Sequence, residues 1–217
     1  MKRVFISRNL KPSSPIRKVL GNHTFLDISL IRFGKLDFEA PQADWIFFYS
    51  RNGVRYFFQD NNYELYPFLW ACMNEGTADE LSHYVTNISF VGNGTPNEVA
   101  QSFKIEINTN QVVCFIRAKN SMDSILKQLG ESHHFSIPVY TNDPIDGAPD
   151  QSFDILIFTS PLNVDAWFKS NPYKNEKVIS IGNTTADHIK ESIGITNVIV
   201  AEHPSEEAIA KRLKQIL

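Results

Sequence analysis

Asp44-Trp-Ile-Phe-Phe-Tyr-Ser-Arg-Asn-Gly-Val54 and Asp154-Ile-Leu-Ile-Phe-Thr-Ser-Pro-Leu-Asn-Val164 are near copies, and each leads into an aromatic segment that closes at Phe58 or Phe168. Asp, Phe, Ser, Val and Phe recur at the same offsets, and the intervening apolar positions stay apolar. A short, unbroken apolar run predicts a strand buried on both faces, as in a parallel sheet. The serine that follows, Ser50 or Ser160, predicts a strand giving way to a helix. That turn puts a hydroxyl and free backbone N–H groups at the strand's carboxyl end, where open α/β sheets bind ligands. A second pair is Ile88-Ser-Phe-Val-Gly-Asn-Gly-Thr95 against Val178-Ile-Ser-Ile-Gly-Asn-Thr-Thr185, and a weaker third is Val112–Leu129 against Asn197–Leu213. Three strand-turn-helix units, used twice in one order, predict two similar α/β domains facing a shared ligand.

Composition limits the alternatives. Each half of the 217 residues can hold its own core, since about 100 residues suffice for a domain. Hydrophobic residues make up 42% and charged residues 21%, ordinary values for a soluble globular protein. No apolar run approaches the roughly 20 residues of a membrane helix, and Arg8 interrupts the start before a signal-peptide core can form. Cys72 and Cys114 lie in apolar segments without metal-ligand spacing, so they read as buried thiols of a reducing compartment, and a cytoplasmic location is expected. Residues 1–55 hold ten Lys/Arg against four Asp/Glu, a net of +6, while the remainder holds eleven against twenty, a net of −9. The basic section lacks dense Lys/Arg runs with interleaved aromatics, so nucleic acid is not an expected partner. Arg8, Arg32 and Arg51 stand apart because each lies at or near the end of a predicted strand.

Along the chain, Arg3–Ser7 predicts a strand and Ser14–Leu20 a helix with Pro15 in its first turn. Phe25–Phe33 reads as one strand. Tyr63–Tyr84 reads as a helical region, Val112–Arg117 as a strand and Met122–Leu129 as helical. Phe135–Thr141 is extended, with Pro138 predicting an edge strand. Ser205–Leu217 predicts an amphipathic closing helix with Glu206 and Glu207 in its first turn. The strand-helix-strand of the N-terminus has no partner in its own segment and is expected to pair with the copy beyond Phe153. The expected architecture is therefore two similar parallel-sheet α/β domains joined by a two-stranded β linker, with the substrate cleft between them. One domain is discontinuous, residues 1–31 plus 142–217. The other is inserted, residues 36–136, and residues 32–35 and 137–141 form the linker.

Gly92-Asn-Gly-Thr95 and Gly182-Asn-Thr-Thr185 each follow an apolar strand and precede a helix. Glycine permits the tight turn, and threonine can cap the helix while leaving its first N–H groups to an anion. Either turn alone reads most simply as a capped helix start. Two of them at like places favour carboxylate or phosphate binding. Neither completes a GxGxxG or GxxxxGK[ST] pattern, so the support for nucleotide binding is weak. No histidine has partners at metal-ligand spacing. Ser50 and Ser160 lack a G-x-S-x-G elbow, which argues against acyl transfer. The exposed phenol candidate is Tyr140, on the returning crossing, although residue type alone favours a packing role for it.

Taken together, Phe-Tyr-Ser-Arg-Asn-Gly-Val54, Phe-Thr-Ser-Pro-Leu-Asn-Val164, Val91-Gly-Asn-Gly-Thr95, Ile181-Gly-Asn-Thr-Thr185 and the closing Val200-Ala-Glu-His-Pro-Ser-Glu-Glu-Ala-Ile resemble the uroporphyrinogen III synthase family over nearly the whole chain. The resemblance implies a cofactor-free, metal-free lyase of porphyrin biosynthesis. Such an enzyme, acting as a monomer, closes hydroxymethylbilane to uroporphyrinogen III with inversion of ring D through a spiro intermediate. It implies a catalytic role for Tyr140, because Val139-Tyr140-Thr141 is similar to the family's ladder segment. It also implies substrate contacts by Arg8, Thr95, Thr184 and Thr185, to which the helix starts with their N–H groups and hydroxyls add Ser50, Arg51, Asn52, Gly94, Ser160 and Pro161 as expected binding residues. Ser29, Ala118 and Asn142 stand where the family usually has Pro, Gly and Thr. The competing reading is a non-catalytic two-domain protein that holds a small anionic ligand.

Overall fold

The computed structural model describes residues 1–59, 66–121, 123–130, 134–145 and 147–217. The chain divides into two compact units, residues 1–32 with 143–217 and residues 33–142. In the discontinuous unit, β1 (Arg3–Ile6), α1 (Pro15–Leu20) and β2 (Thr24–Asp27) come first in the chain. They are completed by β9 (Ile155–Phe158), α6 (Pro161–Phe168), β10 (Lys177–Ser180), α7 (Asn183–Ile193), β11 (Val198–Val200) and α8 (Glu206–Lys214). The continuous unit holds β4 (Trp45–Phe48), α2 (Arg51–Phe58), β5 (Leu69–Cys72), α3 (Glu75–Leu81), β6 (Phe90–Val91), α4 (Pro96–Glu106), β7 (Val113–Ala118) and α5 (Ser124–Leu129). The chain passes between the units through β3 (Ile31–Lys35) and β8 (Phe135–Pro144).

The sheet of the discontinuous unit runs β11-β10-β9-β1-β2, and every described pairing in it is parallel. The other runs β3-β8-β7-β4-β5-β6, parallel from β8 to β6. Parallel strands covered by helices on both faces explain the unbroken apolar runs. Successive residues point to opposite faces, so Ile46, Phe48, Cys114 and Ile116 pack in one layer while Trp45, Phe47, Val113 and Phe115 pack in the other. In the discontinuous unit the same division sets Val4, Ile6, Ile155 and Ile157 against Phe5, Leu156 and Phe158. Trp167 of α6 stacks on Phe5 with ring centroids 4.3 Å apart, a pairing that adds about 0.5–1.5 kcal/mol beyond the area it buries. No helix among the described residues is long and apolar enough to cross a membrane.

Position in the sheets redefines the repeat. β9 and β4 are equivalent central strands, as their near-identical sequences predict. The neighbours of β9 are β10 and β1, and those of β4 are β5 and β7. β10 therefore matches β5, β11 matches β6, and β1 matches β7. The second and third sequence pairs equate strands at different positions, β6 with β10 and β7 with β11. The two Gly-rich turns thus do not occupy like places. Both units share one strand order, with the discontinuous unit carrying its last two strands at the front of the chain.

Three local expectations also change. The single strand Phe25–Phe33 divides into β2 and β3, because side-chain acceptors take the intervening backbone donors: Asn9 Oδ1 from Ser29 N–H at 2.9 Å and Asn163 Oδ1 from Leu30 N–H at 2.8 Å. The helical region Tyr63–Tyr84 contains β5, a four-residue apolar run parallel to β4, and only α3 is helical; residues 63–65, like Met122, lie outside the described residues. Pro138 is not on an edge, since β8 lies between β3 and β7. Proline is tolerated there because the register shifts at Arg117/Ala118, opposite Pro138 and Tyr140, and a bulge needs no ladder N–H.

Burial raises four acid groups of the continuous unit: the thiols of Cys72 to about 11 and of Cys114 further, and the phenols of Tyr49 to about 12 and of Tyr140 upward. The folded state therefore keeps protons that the unfolded chain loses above about pH 8.5 for thiols and 10 for phenols. Their contribution should be constant below that range and fall as pH rises through it. Urea midpoints measured from pH 7 to 10.5 should stay level to about pH 8.5 and then decline. A level profile to pH 10.5 would count against this packing.

Candidate functional site

In each unit the strand order reverses beside the central strand, between β4 and β7 in one and between β9 and β1 in the other. Ligand crevices of open α/β sheets lie at that place, outside the strands' carboxyl ends.

In the continuous unit Tyr49 and Ser50 follow β4 directly. Ser50 caps α2 by accepting the Gly53 N–H at 3.1 Å, and its Oγ is also 3.1 Å from the Tyr140 hydroxyl. Tyr140 is 6% exposed rather than the exposed phenol expected. It stacks on Tyr56 with centroids 5.3 Å apart and meets Phe33 at 6.0 Å, so aromatic neighbours on both β3 and α2 cover the ring. Burial holds its phenol above the ordinary value, partly offset by the Ser50 hydrogen bond, so the group is protonated and able to donate near neutral pH. The Tyr49 hydroxyl accepts the N–H groups of Ile125 and Leu126 at 3.2 and 3.3 Å, capping α5 where Asp123 provides no side-chain cap. Nothing in the sequence motifs signals that role.

A cavity of about 490 Å³ opens beside this strand end, lined by Ser50, Arg51, Asn52, Arg55, Asn74 and Gly76 among others. The structure thus brings three of the expected binding residues, Ser50, Arg51 and Asn52, to one concavity. Arg51 Nε donates to the Gly76 carbonyl at 2.6 Å. Arg55 is held by Glu80, whose carboxyl the guanidinium lowers below the usual range. Asn74, which caps α3 by accepting the Thr77 N–H, escaped sequence reasoning because Cys72-Met-Asn-Glu75 carries no turn glycine.

Gly94 and Thr95 lie elsewhere, after the outer strand β6. There the Glu98 carboxylate accepts both the N–H and the hydroxyl of Thr95, at 2.7 and 2.8 Å, while Thr95 Oγ1 accepts the Glu98 N–H at 3.4 Å. A side chain on Gly94 would come within 2.5 Å of Glu98 Oε2, at a φ of +102°. The protein's own carboxylate occupies the anion position of this turn. Thr95→Val should therefore lower stability by about 1 kcal/mol, the worth of an N-cap, and leave ligand affinity unchanged. Chemical denaturation and a product-binding titration on the same variant check both halves.

In the discontinuous unit Ser160 caps α6, accepting the Asn163 backbone N–H at 3.3 Å and its Nδ2–H at 2.9 Å. Pro161 is the first helical residue, where a missing N–H costs nothing. Across the switch point Thr159 N–H donates to Ser7 Oγ and Thr159 Oγ1 donates to the Ser7 carbonyl, both at 2.9 Å, which ties the carboxyl ends of β9 and β1. Arg8 sits next to Ser7, 3.6 Å from the Glu206 carboxylate, which also accepts the Ser14 hydroxyl. Thr184 is exposed and Thr185 buried in the first turn of α7. That helix begins at Gly182, and no side chain caps its first N–H groups. Among the described residues no three His, Cys, Asp or Glu side chains converge to hold a metal.

The family model described as Uroporphyrinogen-III synthase HemD matches residues 22–211. Among solved structures, the uroporphyrinogen-III synthetase of Helicobacter pylori is similar with a TM-score of 0.73 and 21% identity, covering 100% of both chains. A mutant uroporphyrinogen III synthase of the extremely thermophilic bacterium Thermus thermophilus is similar with a TM-score of 0.63 and 16% identity, covering 99% of each. At these identities the structural likeness concerns the fold. No curated protein sequence gives a significant match. With the family model spanning most of both units, the chain belongs to the uroporphyrinogen-III synthase family.

Proposed function

We propose that the protein cyclises hydroxymethylbilane to uroporphyrinogen III, a dehydration with inversion of ring D. The observation that carries this reading is the family match over residues 22–211. The hydroxyl-capped helix starts at the switch points of both units supply fitting chemistry. The substrate is a polycarboxylate and the protein is acidic overall, so bulk attraction cannot gather it and local donors must. Ser50, Arg51 and Asn52 hold carboxylates at the β4 end. Ser160 and the open N–H groups at Thr184 and Thr185 do so in the other unit, where Pro161 shapes the helix start beside them and Arg8 competes between substrate and Glu206. Holding the linear chain bent supplies most of the rate as orientation.

Chemistry at the reacting carbon needs a proton and little else. The terminal hydroxyl takes a proton and leaves as water, giving an azafulvenium. The substituted carbon of ring D then attacks to form a spiro centre, which fragments and recombines with the ring reversed. Loss of a proton from the joined carbon restores the aromatic pyrrole. Ser50 lines the cavity, so its hydroxyl proton can pass to the leaving hydroxyl while the Tyr140 O–H, 3.1 Å from Ser50 Oγ, replaces it. Tyr140 is thereby the buried end of a two-hydroxyl acid. The protein acts as a monomer in this scheme, without metal or nucleotide.

Purified protein should convert enzymatically generated hydroxymethylbilane mainly to isomer III, with activity surviving exhaustive chelation. Isomer I alone would leave only the non-catalytic anion-binding reading. Tyr140→Phe keeps the stacked ring and removes the donor. Turnover should fall about 10²-fold, the scale of general-acid assistance, with isomer III still predominant and a stability loss of about 1 kcal/mol for the lost hydrogen bond. Full turnover in that variant would reduce Tyr140 to a packing residue.

A further inference from the structure

Gly76 is a glycine that its own backbone does not require. It is the second residue of α3, outside the left-handed region where glycine is favoured, and alanine is the better helix former. What fills the place of its missing side chain is Arg51. An ideal Cβ on Gly76 would stand 2.6 Å from Arg51 Nη2 and 3.3 Å from Cζ and Nε. The same guanidinium is also held by this residue's peptide, since Nε donates to the Gly76 carbonyl at 2.6 Å. Among the described residues no acceptor for Nη1 or Nη2 is found, and both residues line the cavity at the ends of β4 and β5.

We propose that Gly76 is a positioning residue for substrate binding. Its bare peptide lets α3 hold Arg51 by Nε alone, so that the two terminal amino groups present a planar fork to one carboxylate of the substrate. Guanidinium forks match carboxylates in this bidentate manner. The assignment rests on the polycarboxylate reading of the substrate given above. Two neighbouring helix starts are otherwise built with caps, Ser50 and Asn74, and neither cap needs a glycine at position 76. The atoms that an added methyl would strike are the far end of a flexible side chain. In Gly76→Ala, Arg51 yields and α3 does not.

The test compares Gly76→Ala, Arg51→Ala and the double variant by thermal melting, by steady-state kinetics with enzymatically generated hydroxymethylbilane, and by titration with uroporphyrin III, a polycarboxylate porphyrin. Gly76→Ala should melt at or above the parent temperature, while KM and the porphyrin Kd rise about tenfold, the scale of losing a charged hydrogen-bonded contact. The change should appear in KM rather than kcat. Arg51→Ala should show the same loss, and the double variant no more than either single one, because the two residues act as one device. Parent affinity in Gly76→Ala, additive losses in the double variant, or a Gly76→Ala protein that melts well below the parent would each overturn the proposal. If the parent protein makes no isomer III, the reaction reading fails, and the porphyrin affinities alone decide this assignment: matched losses in the variants uphold it, and unchanged affinity removes it.

Discussion

Two strands can lie side by side in parallel only if the chain leaves the sheet and returns to the starting edge. That constraint puts every strand-to-helix turn of a unit along one edge of its sheet, and it governs the chemistry available there. Each turn must satisfy the unpaired N–H groups of a new helix. The chain does so at five of them with short side chains: Ser50, Asn74, Thr95, Ser160 and Ser205 all accept an N–H three residues ahead. Helix starts held this way leave N–H groups and hydroxyls at one edge, which is what a polycarboxylate needs from a protein of net charge −3.

The turns are not equal, and their differences come from what completes each cap. At Thr95 the capping box is closed by Glu98, so the site has already met its anion. At Ser50 the cap is completed by the Tyr140 phenol, 3.1 Å from the serine oxygen, which leaves a pair of hydroxyls. At Ser160 it is completed by Asn163, whose side-chain carbonyl reaches Leu30. One chemical device thus produces a cap closed by a carboxylate, a pair of hydroxyls and a structural tie.

The sequence made the central strands legible because a doubly buried strand leaves a run too apolar to be anything else, and a serine at its end marks the turn. It misled where turn chemistry imitates position. Gly92-Asn-Gly-Thr95 and Gly182-Asn-Thr-Thr185 look alike because any strand-to-helix turn favours those residues, not because they occupy the same strand place. β5 was hidden because Leu69-Trp-Ala-Cys72 is as good a helix turn as a strand at that length. The burial of Tyr140, the suture of Ser7 to Thr159 and the clasp of Arg51 on Gly76 depend on residues that are 25 to 152 positions apart, or on ring neighbours drawn from separate elements. No local pattern carries them.

The split order of the discontinuous unit has a consequence for synthesis. β1 carries Val4, Phe5 and Ile6, each fully buried in the finished protein, and its sheet partner β9 begins at Ile155. A ribosome adding about 5–20 residues per second leaves that strand without its neighbour on one side for on the order of ten seconds, although β2 follows at once. During that interval residues 33–142, uninterrupted in the chain, can emerge and close their own sheet. One edge of β1 therefore waits for its partner while the continuous unit can already be complete. That stretch, buried on completion of the sheet, is the part of the unit left exposed longest.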